Sequence, residues 1–258
     1  MNASYDASMS DSEGYVVLLH AFPLNATLWR PQVEAAPKGW RFVARDLPGF
    51  GSSSAPAVES MDAMARGLLR MLDALGIERA VIGGLSMGGY LTLALYRMAP
   101  ERFSGMILAD TRATPDTDQQ KDGRRKMLAT IAETGPAGVA DEMLPKLLGA
   151  TSRRERPELT DAVRAMILGN KTAAIAGAVK AIMERPDSTP LLASISVPSL
   201  ILCGEEDVLT PPADAEALHA GIPQSRLVLL PEAGHLSNIE APEAFSTAVQ
   251  DFLHSLKP

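Results

Sequence analysis

Short apolar runs alternate along the chain with longer segments whose apolar positions recur at three- and four-residue steps. That rhythm belongs to a parallel sheet with crossover helices. The runs fall at residues 15–19, 41–44, 80–83, 106–109, 199–202 and 227–230. They are continuously apolar rather than alternating, as in strands buried on both faces. Between the second and third runs, Met61, Met64, Leu68, Leu72 and Leu75 share one helical face, with Ser60 as an N-cap and Gly76 as a C-terminal stop. A right-handed crossover helix is predicted there. Near the C-terminus Pro242 sits in a first helical turn, and Phe245, Val249, Phe252 and Leu256 follow on one face.

The alternation lapses over residues 113–197, where helical patterns appear near 126–133, 139–148, 159–168 and 172–184 but no strand pattern does. Gly135-Pro136 and Arg156-Pro157 break them. The expected organisation is a core of residues 1–112 and 198–258 with a helical cap, 113–197, inserted in it. Met127, Met143, Met166 and Met183 lie in that cap; packing against the core is their first reading, an adaptable pocket wall the second.

Composition narrows the class without changing the fold. In 258 residues, 46% hydrophobic and 21% charged, a folded globular protein is expected. The net charge is −7, from 24 basic and 31 acidic residues, and the longest basic run is Arg124-Arg125-Lys126. Neither nucleic acid nor a membrane is an expected partner. Cys203 is the single cysteine, which excludes an intrachain disulfide and a cysteine zinc cluster. Residues 1–14 are small, polar and acidic, unlike a signal peptide, and no apolar segment approaches the roughly 18 residues of a membrane span. A cytoplasmic location is expected.

The chemistry concentrates where runs end. Gly84-Leu85-Ser86-Met87-Gly88-Gly89 follows the third run and precedes a helix-compatible stretch. A hydroxyl projected from a sharp strand-to-helix turn needs small neighbours, and the helix N-terminus behind it offers free amides to developing negative charge. Ser86 is the candidate nucleophile and the Met87 amide a candidate oxyanion donor. A serine needs a base and an acid to orient it. Of His20, His219, His235 and His254, only His235 stands in a loop directly after the last run, so it is the candidate base. Asp207, after the fifth run, is preferred as the acid over Asp110, after the fourth; both would lie at carboxyl ends of strands, where ligands gather in open α/β sheets. His20-Ala21-Phe22-Pro23 ends the first run, and the Phe22 amide is the second candidate donor, with His20 holding the loop. The turn-rich segment 46–53 reads as scaffold, since its glycines match no phosphate-binding spacing.

Taken with Gly204-Glu205-Glu206-Asp207 and Gly234-His235-Leu236-Ser237-Asn238, these motifs make residues 15–256 resemble the α/β-hydrolase superfamily, whose triads run in the order serine, acid, histidine. Within it the chain looks most like small capped carboxylesterases and 3-oxoadipate enol-lactonase-like enzymes. The resemblance implies a mostly parallel sheet flanked by helices, a Ser86–His235–Asp207 triad, an oxyanion hole from the Phe22 and Met87 amides, an ester or lactone substrate, and neither cofactor nor metal. Two departures stand out: Ala21 occupies a position where many relatives carry glycine, and only a polar tail precedes Tyr15. The usual N-terminal antiparallel hairpin is therefore expected to be missing. Specificity is assigned to the cap and to Leu24 and Trp29 after the oxyanion segment. A carbon–carbon bond hydrolase or hydroxynitrile lyase would use the same triad. Serine at 86 disfavours a dehalogenase, which needs a carboxylate nucleophile, and the complete triad disfavours a ligand receptor on an inactive hydrolase fold.

Overall fold

The computed structural model describes residues 5–6 and 14–256. All six apolar runs form strands, preceded by a short one: β1 (Tyr5–Asp6), β2 (Gly14–Leu19), β3 (Trp40–Ala44), β4 (Ala80–Leu85), β5 (Phe103–Ala109), β6 (Ser199–Gly204) and β7 (Ser225–Leu230). The sheet order is β1-β3-β2-β4-β5-β6-β7, and every pairing from β3 to β7 is parallel. β4 and β6 are buried along their whole length, as continuous apolar strands with both faces covered must be. The polar tail adds a single short strand: β1 lies antiparallel on β3, with Tyr5 opposite Ala44 and Asp6 opposite Val43, and among the described residues it forms no hairpin with β2. Two residues thus occupy an edge whose backbone groups would otherwise be unpaired.

On the flanks, α1 (Arg30–Glu34) and α2 (Met61–Ala74) precede β4, and α3 (Met87–Met98) follows it. Ser60 Oγ accepts the Ala63 amide at 3.1 Å, and Met61, Met64, Leu68 and Leu72 are buried. Leu75, expected on the same face, instead forms the C-cap and is 36% exposed, because Gly76 at φ 66° already turns the chain away.

Between β5 and β6 lie α4 (Asp118–Leu147), α5 (Ala150–Glu155), α6 (Pro157–Leu168) and α7 (Thr172–Met183). The two helices expected near 126–133 and 139–148 are the two arms of α4, divided at Gly135 (φ 62°, ψ −152°) ahead of Pro136. Only glycine adopts that conformation readily, and proline fits the first turn of the second arm. Thr117 and Gln120 form a capping box at the start of α4. The short α5 has no apolar periodicity that would have revealed it. The chain closes with α8 (Pro212–Gly221), α9 (Ser237–Glu240) and α10 (Pro242–Ser255), the last burying Phe245, Val249, Phe252 and Leu253. Among the described residues, no helix is long and apolar enough to cross a membrane.

Candidate active site

Parallel strands end on one side of the sheet, so the segments after β2, β4, β5, β6 and β7 converge there. At the β4–α3 turn, Ser86 has φ 56° and ψ −112°, a conformation costing a non-glycine residue about 1–3 kcal/mol. Its surroundings hold it there: the Ser86 amide donates to Ala109 O at 2.9 Å, and Thr111 Oγ1 donates to Ser86 O at 2.9 Å. The flanking glycines admit no side chain. A Cβ on Gly84 would lie 2.2 Å from Gly88 C, and one on Gly88 would lie 2.1 Å from Leu19 O. Only hydrogens allow this turn to nest against the end of β2.

His235 and Asp207 meet beyond β7 and β6, with Nδ1 of the ring 2.8 Å from Asp207 Oδ2. Asp207 also accepts from the Leu209 amide at 2.8 Å, the Thr210 amide at 3.0 Å and Thr210 Oγ1 at 2.7 Å. Burial favours the neutral acid, but the His235 charge, its hydrogen bond and the Thr210 donors outweigh it and hold the Asp207 carboxyl below its ordinary value. With Nδ1 turned to Asp207, Nε2 is the ring nitrogen left for proton transfer.

Asp110, the competing acid, faces elsewhere. Its carboxyl accepts from the Gly204 amide at 2.9 Å and Ser237 Oγ at 2.5 Å, tying the end of β6 to the segment after His235. Burial, then the charge of Asp207, push it well above the usual carboxylate range. Cys203 lies with these two carboxyls, and burial followed by their charges pushes its thiol up as well.

The loop after β2 is organised by His20, which is fully buried. Its Nδ1 donates to Ala21 O at 3.0 Å, and its Nε2 accepts the Leu47 amide at 3.0 Å, joining the 20–23 loop to the 46–53 segment. Burial, the largest influence, lowers the His20 pKa, in keeping with this neutral tautomer. Asp46 braces the neighbouring turn, accepting from the Ala26 amide at 2.8 Å and from the Ser52 amide at 2.8 Å. Among the described residues, neither the Phe22 amide nor the Met87 amide donates to a protein acceptor.

Phe22, Ser86 and His235 line one cavity of about 280 Å³. Leu24 and Trp29, expected to contact substrate, are not in its wall. Both are fully buried: the 3-10 turn Ala26–Trp29, capped by Asn25, rotates Trp29 inward onto Phe245, ring centroids 5.9 Å apart. The wall includes Arg112, Arg124, Lys146 and Glu142 instead. Sequence reasoning passed over these, although Arg112 stands just beyond β5, where strand-end loops gather, and Arg124 lies in the basic run already noted.

Residues 14–242 match the alpha/beta hydrolase fold family. Among curated relatives, 3-oxoadipate enol-lactonase 2 of Acinetobacter baylyi is 28% identical over 236 residues, covering 91% of this chain and 86% of that protein. A pimeloyl-[acyl-carrier protein] methyl ester esterase of Neisseria meningitidis is 29% identical, with 95% of each chain covered. Among solved structures, a malate-bound thermophilic esterase from Thermogutta terrifontis superposes with a TM-score of 0.92 at 39% identity, covering 96% of this chain and 92% of that one. The enol-lactonase from Burkholderia xenovorans does so at 0.87 and 30% identity, covering 94% and 92%. A strand-to-helix serine turn on a mostly parallel sheet and a match running nearly the length of the chain lead to one conclusion: the chain belongs to the alpha/beta hydrolase fold family.

Proposed function

We propose that the protein cleaves carboxylic esters of small molecules through an acyl-enzyme on Ser86, with His235 as base and Asp207 as its orienting acid. The family and its esterase and enol-lactonase neighbours support an ester hydrolase, and a lactone is an internal ester open to the same chemistry. The observation that carries the reading is the 2.8 Å contact of Asp207 with His235, a ring that lines the same cavity as a serine held at φ 56°.

In the first half-reaction Ser86 Oγ attacks the ester carbonyl while His235 takes its proton. Negative charge then collects on the carbonyl oxygen, where the Phe22 and Met87 amides, free of other acceptors among the described residues, donate to it. The carbon–oxygen bond breaks as His235 returns the proton to the departing alcohol. Water, deprotonated by His235, attacks the acyl-serine in the second half-reaction, and the acid leaves as Ser86 regains its proton. Residues 113–197 act as a cap over this site, contributing Arg124, Met127 and Met143 to the cavity wall.

Hydrolysis of short-chain p-nitrophenyl esters by the protein and by Ser86→Ala tests the assignment, with circular dichroism to verify the variant's fold. Activity is expected to fall by more than about 10³-fold in the folded variant. Activity retained there would overturn the role of Ser86.

A further inference from the structure

Three guanidinium groups, those of Arg112, Arg124 and Arg185, converge on the fully buried Asp116 carboxylate. Arg185 donates to Asp116 Oδ1 at 2.7 Å and lies 4.1 Å above the Tyr90 ring. Arg124 uses Nε on Asp116 Oδ2 at 3.0 Å. Arg112 is left over: its nearest carboxylates, Asp116 and Asp214, are at 3.7 and 3.8 Å, and its buried Nε has no hydrogen-bond partner among the described residues. The Arg112 side chain is only 13% exposed. A guanidinium so enclosed is unfavourable unless its donors are met, and an orphaned buried donor calls for an explanation. Three guanidiniums against two carboxylates also leave one uncompensated positive charge, to which the Lys146–Glu142 pair at 3.8 Å adds nothing.

Arg112 and Arg124 line the same cavity as Ser86 and His235, so the excess charge faces the space a substrate must enter. We propose that these two arginines form an anion subsite, and that the preferred substrates are esters or lactones bearing a second, free carboxylate. The proposal rests on the ester-hydrolase reading and narrows its substrate class. A carboxylate matches the planar guanidinium fork, satisfies the donors of Arg112 and balances the local charge. It also fixes the far end of the substrate, so the scissile carbonyl is presented to Ser86 in one orientation.

Two esters of equal chain length test this, monomethyl glutarate and methyl pentanoate, with methanol release measured for the parent, Arg112→Gln and Arg124→Gln. The parent is expected to prefer the anionic ester by about tenfold or more in kcat/KM, the factor that accompanies about 1.4 kcal/mol of charge-assisted binding. Arg112→Gln should bring that ratio near one, chiefly through a higher KM for the anion, and Arg124→Gln should lower it part of the way. A parent indifferent to the charge, or a ratio unchanged in both variants, would overturn the subsite. If neither ester turned over, the ester-hydrolase reading would fall separately. Calorimetric titration with glutarate would then decide the subsite: binding by the parent that weakens in either variant supports it, and no binding by the parent overturns it.

Discussion

Asp207 and Asp110 share one buried neighbourhood and lean toward opposite protonation states. Asp207 is held below its ordinary pKa, so its stabilising contribution is complete above the unfolded value of about 4 and is lost as pH falls through the folded value. Asp110 is raised, so its contribution is complete below about pH 4 and declines as pH climbs toward the folded value. In Asp110→Asn, which keeps the shape and removes the titration, Tm relative to the parent should therefore rise as pH increases from about 4. A flat difference between the two melting curves would contradict the raised pKa. Asp207→Asn should lower kcat by about 10³–10⁴ through misorientation of His235, and Asp110→Asn far less. Reversed effects would make Asp110 the functional acid. The sequence prefers Asp207 over Asp110, but strand-end position does not separate them, because both follow parallel strands. What separates them is the direction of the His235 ring, a property of the folded loops alone. Leu24 and Trp29 misled for a related reason, since closeness in sequence to the 20–23 loop says nothing of which way a 3-10 turn faces.

Elements were far more legible than side-chain directions. All six strands and α2, α3 and α10 follow from apolar runs and spacing, because burial on the sheet imposes periodicity directly on the sequence. The helices of 113–197 were harder: Gly135-Pro136 reads as a terminator, whereas the glycine's freedom lets α4 resume at once. Gly135→Ala should lower stability by about 1–3 kcal/mol, the cost of forcing an L-residue into φ 62°, ψ −152°, since the nearest atom to its new Cβ would be a comfortable 3.7 Å away. Chemical denaturation would detect it as a lower midpoint with an unchanged slope. Removing the α2 cap with Ser60→Ala should cost about 1 kcal/mol in the same assay. Neither change touches the cavity, so ester kinetics should stay as in the parent.

Across the whole molecule, the helices between β5 and β6 are fastened to the loops that carry the proposed site. Asn170, just after α6, donates to Pro23 O at 2.7 Å and Leu24 O at 3.1 Å and accepts the Gly51 amide at 2.7 Å. Glu240 accepts the Gly149 amide at 2.8 Å and the Leu236 amide at 3.0 Å, linking the approach to α5 with the segment after His235. Asn170→Ala would strand several buried groups, so a loss of about 1–3 kcal/mol is expected, with kcat falling more than KM changes as the Phe22 loop loses its tether. Comparing melting temperature with steady-state kinetics would reveal both. The strand order carries a last consequence. The two proposed oxyanion amides follow β2 and β4, adjacent strands with neighbours on either side, whereas the proposed acid and base follow β6 and β7, and β7 is the partly exposed strand at the sheet's margin. Margins fray before centres do. On warming, the loops carrying the proposed acid and base are therefore expected to loosen while those carrying the proposed oxyanion amides still hold, so that heat inactivation should begin as a local event at one rim.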